Sequence, residues 1–260
     1  MKELRDILKD LEANKITVDQ AEEILKLNYL NEIDELAQLD LFRKSRTGIP
    51  EVIFAESKSV EMLQKITAHM MEKSGYAILT RVTKEQFSVL DAQYKSHSNI
   101  QYQPNYQGKV IFIAKQEYKK PENPGLIGLI TAGTSDIPVA EEANVVLKAM
   151  GYQTLPSYDV GIAGMHRIFP PLKKMIKAHT DVLIVFAGME GTLPGVVSSL
   201  VDIPVIGVPT STGYGLGEKG KGALTTMLQS CSPGISVVNI NNGFGAATMA
   251  ALIVKKIHSK

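Results

Sequence analysis

The segment 126–143 constrains the fold most, because a short apolar run passes through a loop of small residues directly into a helical pattern. Residues 126–130 have the length and composition of a strand that is buried on both faces. Residues 131–136 are small or favour helix N-termini, with Ser135 or Asp136 as the predicted N-cap and Pro138 in the first turn. Such a loop presents backbone N–H groups and a helix dipole to an anion, most often phosphate. An ordinary strand-to-helix turn has the same pattern, and both interpretations stay open here.

Composition narrows the class of protein. The chain has 260 residues, a formal net charge of +1 and 21% charged residues, a balance that favours neither nucleic acid nor an anionic membrane as partner. Its single cysteine excludes an intramolecular disulfide. The charged N-terminus does not resemble a signal peptide, and no stretch approaches the ~20 apolar residues of a membrane span. We therefore expect a soluble, cytoplasmic, globular protein with one large domain or two moderate ones.

The first half of the chain predicts a helical pair followed by a small α+β domain. An amphipathic helix is predicted over 2–13, and Thr17 with Gln20 forms a predicted capping box that opens a second helix. Residues 94–108 are polar and predict a loop or hairpin. The remaining predicted strands are 51–55, 76–80 and 110–114, and the remaining helices are 59–74 and 83–92.

A linker with two prolines and a glycine, residues 119–125, predicts a boundary between domains 1–120 and 121–260. Beyond it strands and helices alternate, which predicts a parallel sheet with helices on both faces. In such sheets ligands bind at the carboxyl ends of the strands, so the loops after strands are the candidate sites. The predicted strands are 126–131, 152–156, 181–187, 203–208 and 235–240, and the helices are 137–150, 164–179, 193–201, 220–230 and 244–258.

Three further loops carry candidate groups. Glu190 lies among glycines directly after the run 182–186, as either a general base or a solvated surface acid. Asp159, His166 and Arg167 lie between a strand and a helix. Arg167 is either a ligand for a carboxylate or phosphate group, or a surface residue. The turn 209–215 is rich in hydroxyl groups and glycine, and could donate hydrogen bonds to a nucleotide.

Two nucleotide-binding motifs are excluded, and one cysteine remains. The segment 215–222 approaches a phosphate-binding P-loop, but Gly222 replaces the Ser or Thr that binds magnesium. The three-glycine dinucleotide fingerprint is also missing after the first strand of the second domain. Cys231 lies in a polar, glycine-bearing loop, as either a nucleophile or a small buried residue.

Taken together, the loops resemble those of the PurE family, which moves a carboxyl group on aminoimidazole ribonucleotide. The resemblance rests on the segments 132–136, 165–167, 193–195 with 204–209, and 234–240, in that order, and implies a flavodoxin-like domain that assembles into octamers. Two departures matter. Thr192 stands where that family has its catalytic His, and Cys231 stands where it has an unreactive residue.

With these departures and its N-terminal extension, the sequence is similar to the LarB family, which takes part in nickel-pincer nucleotide synthesis. Further similar stretches are 46–52, 80–82, 230–234 and 239–246. The resemblance implies carboxylation at C5 of the pyridinium ring of nicotinic acid adenine dinucleotide. It also implies hydrolysis of the phosphoanhydride, giving pyridinium-3,5-biscarboxylic acid mononucleotide and AMP. CO₂ or bicarbonate would be the co-substrate, Mg²⁺ would assist hydrolysis, and no organic cofactor is expected.

The resemblance and the chemistry together assign expected roles. Cys231 is the expected nucleophile and Glu190 the expected base, and the remaining site residues would bind substrate. These are Gly133, Thr134, Ser135, Asp136, Asp159, His166, Arg167, Gly188, Met189, Gly191, Thr210, Ser211, Thr212 and Gly213. Two alternatives stay open: a PurE-type carboxylase or mutase acting on aminoimidazole ribonucleotide, and a nucleotide-binding regulator without catalysis.

Overall fold

The computed structural model describes residues 4–29, 32–33, 37–40 and 43–259, and the chain starts with a helical pair. Helix α1 is Leu4–Glu12 and helix α2 is Val18–Tyr29. The predicted capping box is present, because Gln20 N donates to Thr17 Oγ1 at 3.2 Å and Thr17 N donates to Gln20 Oε1 at 2.9 Å. Residues 2 and 3 of the first predicted helix lie outside the described residues. Within the described ranges, no helix is both long and apolar enough to cross a bilayer.

After the helical pair, the described part of the first unit contains a two-stranded sheet, a short helix, and a four-stranded sheet with two longer helices. The strand order of the four-stranded sheet is β3-β4-β6-β5, with β3 parallel to β4 and β4 antiparallel to β6. The predicted helix 59–74 is confirmed, with Ser59 as N-cap and a left-handed Gly75 after its end. The elements are β1 (Glu32–Ile33), β2 (Ala37–Gln38), α3 (Arg43–Thr47), β3 (Ile53–Phe54), α4 (Val60–Ser74), β4 (Tyr76–Thr80), α5 (Lys84–Tyr94), β5 (Ile100–Asn105) and β6 (Val110–Lys115).

The second unit contains a five-stranded sheet flanked by five α-helices. Segments of 3₁₀-helix (134–136, 162–168 and 215–220), the last two kinked, follow three of its strands. The strands and α-helices are β7 (Leu126–Thr131), α6 (Ile137–Ala149), β8 (Gln153–Ser157), α7 (Phe169–Lys177), β9 (Val182–Ala187), α8 (Leu193–Ser198), β10 (Val205–Pro209), α9 (Lys221–Leu228), β11 (Ile235–Val237) and α10 (Gly243–His258).

The strand order of this sheet is that of the flavodoxin-like fold. Its order is β11-β10-β9-β7-β8 with every pair parallel, which confirms the predicted class. All six residues of β9 are buried, because α7, α8 and α9 pack on one face while α6 and α10 pack together at the other. The order reverses between β7 and β9, so the loops that follow these two strands diverge and leave a crevice at the carboxyl edge.

Two predicted elements are corrected. The helix predicted over 164–179 is a kinked 3₁₀ segment over 162–168 followed by α7, because Gly164 is non-helical and Pro170 and Pro171 restart the helix in its first turn. The strand predicted over 235–240 ends at Val237, since the polar residues that follow turn toward α10. In the first half, the loop or hairpin over 94–108 contains strand β5.

The chain divides into two compact units. One comprises Met1–Pro104 with Ile111–Tyr118, and the other Asn105–Val110 with Lys119–Lys260. Residues 105–110 group with the second unit because Asn105 donates to Glu141 on α6 at 2.5 Å. A Cβ on Gly108 would lie 2.8 Å from the backbone carbon of Glu141, so only glycine permits this close approach.

Candidate active site

Three loops at the carboxyl edge of the larger sheet meet at the side chain of Asp136. This residue is 2% exposed, and its carboxylate accepts from Thr210 Oγ1 at 2.6 Å and from Gly133 N at 2.8 Å. The backbone of Gly188 also donates to it. Asp136 therefore joins the loops after β7, β9 and β10. It holds the N-cap position of α6, as predicted, but its side chain makes no capping bond to that helix.

Burial raises the pKa of the Asp136 carboxyl above its ordinary value. The hydrogen bonds from Thr210, Gly133 and Gly188 act in the opposite direction but do not cancel the cost of desolvation. The folded protein therefore disfavours the ionised form of Asp136 relative to a solvated carboxylate, although these donors partly compensate. The structure thus gives the Asp136 carboxylate the position of an internal link between three loops.

The exposed part of the first loop is formed by the first two residues of the 3₁₀ turn 134–136. Thr134 and Ser135 are exposed, and the Ser135 carbonyl accepts from Thr212 Oγ1 at 3.5 Å. Helix α6 starts directly after this turn, with Pro138 in its first turn as predicted. Backbone N–H groups and hydroxyl groups are thus available at the rim, which suits a phosphate or a ribose.

The loop after β9 is held by close backbone contacts. A Cβ on Gly188 would lie 2.3 Å from the Thr212 carbonyl oxygen, and Met189 N donates to that same oxygen at 2.7 Å. Gly191 is left-handed and packs against the backbone of Ala223. These contacts bring the loop against the one after β10 and leave the next side chain, Glu190, exposed to solvent.

Asn241 is a residue of this site that the sequence analysis missed. Its amide accepts from Ser211 N at 2.8 Å and donates to Ser211 Oγ at 2.8 Å, while its own N–H donates to the Pro209 carbonyl. This clamp fixes the hydroxyl-rich turn that also contains Thr212 and Gly213. The available signal was the polar run after strand β11, at the same carboxyl edge.

Asp159 and Arg167 form an ion pair beside the first loop. Arg167 Nη1 lies 3.1 Å from Asp159 Oδ2, and both side chains are substantially exposed, at 40% and 50%. The segment contacts the β7 loop, because a Cβ on Gly161 would lie 2.6 Å from the Ala132 carbonyl oxygen. His166 is exposed on the same 3₁₀ helix. A cation here is accessible to an anionic ligand.

Cys231 lies apart from the Asp136 cluster. It is exposed, in the connection from α9 to β11, which places it at the amino end of that strand. It lines a groove of about 320 Å³ between α8 and α9, which Gly191 and Thr192 also line. Gly195 permits this arrangement, since a Cβ there would lie 2.9 Å from Ser230 Oγ. Of the predicted site residues, Gly191 and Cys231 alone line this groove, and Glu190 directly precedes Gly191.

The described residues do not include a cluster of three His, Cys, Asp or Glu side chains that could hold a metal ion. The oxygens of Asp136 are occupied by protein donors, and Asp159 is paired with Arg167. Mg²⁺ typically needs one or two carboxylates together with substrate phosphates. Among the described residues, the carboxylates of this site therefore do not fit an ion held by protein groups alone.

Comparisons with known proteins agree with this architecture. The profile of the AIR carboxylase family matches residues 126–260, and that of the LarB/PurE-like N-terminal domain matches residues 30–115. The chain belongs to the AIR carboxylase family. An uncharacterized protein of Methanocaldococcus jannaschii is 47% identical over 259 residues, which cover 99% of each chain.

Relatives with assigned activities match the second half of this family member. The N5-carboxyaminoimidazole ribonucleotide mutase of Methanocaldococcus jannaschii is 36% identical over 132 residues, covering 50% of this chain and 78% of its own. A crystal structure of a Treponema denticola PurE2 variant is 21% identical with a TM-score of 0.38, covering 52% of this chain and 80% of its own. Membership of this family indicates a carboxylase-type or mutase-type enzyme.

Proposed function

We propose that the protein carboxylates C5 of the pyridinium ring of nicotinic acid adenine dinucleotide and hydrolyses the phosphoanhydride of that dinucleotide. The products would be pyridinium-3,5-biscarboxylic acid mononucleotide and AMP, in the first step of nickel-pincer nucleotide synthesis. The observation that carries the proposal is the exposed Cys231 thiol, in a groove that is also lined by Gly191, the residue after Glu190. The match to a LarB/PurE-like N-terminal domain supports the same assignment.

The chemistry requires a nucleophile and a base. A pyridinium ring is electron-poor and cannot attack CO₂. Addition of the Cys231 thiolate at C4 removes the ring's positive charge and leaves an enamine whose C5 is nucleophilic. After C5 bonds to CO₂, Glu190 removes the C5 proton, and the returning electron pair expels the thiolate from C4 and restores the pyridinium ring. Cys231 is the one thiol in the sequence.

The loops at the carboxyl edge would bind the rest of the dinucleotide. Backbone and hydroxyl groups of Thr134 and Ser135 would hold a phosphate or ribose, and Ser211 and Thr212 would contact the nucleotide. Arg167, which is paired with Asp159, would bind a substrate phosphate or the ring carboxylate together with the neighbouring His166. Mg²⁺, if it assists hydrolysis, would arrive bound to the substrate phosphates. A homo-octamer is part of the proposal, and the native mass of the purified chain tests it.

The second candidate is carboxyl transfer on aminoimidazole ribonucleotide, favoured by the identity of 36% to a mutase over the second half of the chain. Thr192 opposes it. A hydroxyl group cannot shuttle a proton near neutral pH as the His expected at that position would. In this alternative, Cys231 would have no chemical role.

Mass spectrometry tests the proposal directly. The purified chain is incubated with nicotinic acid adenine dinucleotide, ¹³C-bicarbonate and Mg²⁺, and in parallel with aminoimidazole ribonucleotide. A labelled, carboxylated mononucleotide together with AMP is the expected result. Unchanged dinucleotide beside a carboxylated aminoimidazole would assign the mutase-type activity instead. If neither substrate reacts but the dinucleotide binds, the protein is a non-catalytic nucleotide-binding protein.

A further inference from the structure

Glu141, on helix α6, accepts three hydrogen bonds from uncharged donors. The Tyr158 hydroxyl donates to Oε1, Asn144 Nδ2 donates to Oε1 at 2.9 Å, and Asn105 Nδ2 donates to Oε2 at 2.5 Å. The carboxylate is half-buried, and none of the roles assigned above involves it. Three donors around one partly buried carboxylate make a strong, charge-assisted arrangement that resists rearrangement.

Second hydrogen bonds fix the orientation of both amides. Asn144 Oδ1 accepts from Thr154 Oγ1 at 2.8 Å, so the amide nitrogen of Asn144 faces the carboxylate. Asn105 Oδ1 accepts from Gly108 N at 2.7 Å, which has the same effect on the other side. Two of the three donors around Glu141 are thus oriented by their own hydrogen-bond partners, and the third donor is the Tyr158 hydroxyl.

Tyr158 directly precedes the ion-paired part of the candidate site. Burial, together with the hydrogen bond to Glu141 and its negative charge, raises the pKa of Tyr158 well above its ordinary value, so its hydroxyl remains a donor. The next residue, Asp159, has a left-handed φ of 58°, and its N–H donates to Thr131 Oγ1 at 3.0 Å. This conformation is uncommon for a non-glycine residue, although Asp adopts it more readily than most, and the hydrogen bond to Thr131 helps to fix it here.

We propose that Glu141 is a positioning residue of the active site. Through Tyr158 it holds Asp159 in its left-handed conformation, and Asp159 in turn orients Arg167 through their ion pair. The inference rests on the proposed function in one respect, namely that Arg167 binds an anionic group of the substrate. Its consequence is that Glu141 governs substrate affinity from outside the set of groups that touch the substrate.

The variants Glu141→Gln and Tyr158→Phe test this chain of contacts. A glutamine has one acceptor oxygen and adds a donor, so it cannot satisfy all three partners. For each variant we expect the KM for nicotinic acid adenine dinucleotide to rise about 5- to 10-fold, with kcat within about twofold of wild type. The double variant should show no further rise in KM, because each single change already breaks the same contact between Tyr158 and Glu141. Glu122→Gln, an exposed acid on the linker, is the matched control.

Hydrogen exchange supplies a readout that needs no turnover. The amides of Asp159 and Val160 both donate to Thr131, to its Oγ1 and its carbonyl oxygen respectively. Both should exchange faster in Glu141→Gln and Tyr158→Phe than in wild type. The Ala132 amide, which donates to the Phe186 carbonyl on β9, should be unchanged.

The two readouts separate the possible failures. If wild type does not convert the dinucleotide, the proposed function fails, while faster exchange at Asp159 and Val160 still supports the positioning role. Unchanged exchange at these two amides in both variants would overturn the inference. So would a fall in kcat at constant KM, since that result would place Glu141 in the chemical step.

Discussion

Cys231 is the residue whose removal separates the proposed activity most sharply from its alternatives. Replacing Cys231 by Ser or Ala removes the nucleophile, and we expect carboxylation of the dinucleotide to fall at least about 1,000-fold. Because the side chain is exposed, the free energy of unfolding should change by less than about 0.5 kcal/mol. Product mass spectrometry and chemical denaturation measure the two effects. An active Cys231→Ala variant would disprove the covalent scheme.

Glu190 has a different expected signature, because it acts after the thiolate has added. Without a base the C5 proton stays in place and the thiolate cannot leave, so Glu190→Gln should accumulate a covalent adduct on Cys231. We expect turnover to fall by about 10²- to 10⁴-fold. Intact-protein mass spectrometry detects the adduct, and Glu218→Gln, an exposed acid on a neighbouring loop, is the control. Normal turnover in Glu190→Gln would require another base.

At the scale of elements, the loops depend on close backbone packing that a single methyl group should disturb. In Gly188→Ala the new Cβ would lie 2.3 Å from the Thr212 carbonyl oxygen and 2.7 Å from Thr212 Cβ. We expect a loss of about 1–3 kcal/mol in the free energy of unfolding, because two loops must separate.

Gly133→Ala is the matched control in a neighbouring loop. Its Cβ would meet nothing closer than Asp136 Oδ2 at 3.7 Å, and its φ of −123° suits alanine. Its free energy of unfolding should be unchanged or slightly higher. Thermal unfolding of both variants makes the comparison, and equal stabilities would show that the contact at Gly188 relaxes at no cost.

The sequence predicted the central strands of the second unit well, because β7, β9 and β10 are predominantly apolar runs followed by loops that contain turn residues. The prediction was wrong where glycine or proline residues interrupt a segment whose hydrophobic pattern is helical. The hydrophobic pattern over 164–179 is helical, yet Gly164 and the Pro170–Pro171 pair divide it into two segments. Likewise, the clamp of Asn241 on Ser211 joins residues 30 positions apart, and no local pattern reports such a contact.

At the scale of the whole molecule, the predicted parallel sheet indicated which loops lie at the same edge, but not what the side chains of those loops contact. Asp136 was predicted to bind substrate, and that prediction stays untested; what no local pattern predicted is that its buried carboxylate links three loops. Cys231 follows a helix, so a search restricted to loops after strands would not have placed it in a groove with Gly191. Both the links of Asp136 and the position of Cys231 depend on tertiary packing, which the local hydrophobic pattern of a single sequence does not report.

Asp136 should also give the stability of the whole molecule an unusual pH dependence. Its pKa is higher in the folded chain than its ordinary value of 3.8, so the folded state binds this proton more tightly than the unfolded state. The corresponding stabilisation is complete below the unfolded-state pKa and is lost as the pH rises through the folded-state pKa.

Asp136→Asn cannot titrate at this position and provides the reference. The difference in free energy of unfolding between wild type and Asp136→Asn should therefore be most favourable to wild type near pH 4 and shrink toward pH 8. Urea denaturation of both proteins across this range measures it. A difference that grows with pH would mean that the donors from Thr210, Gly133 and Gly188 outweigh the desolvation of the carboxylate, so that its folded-state pKa lies below 3.8.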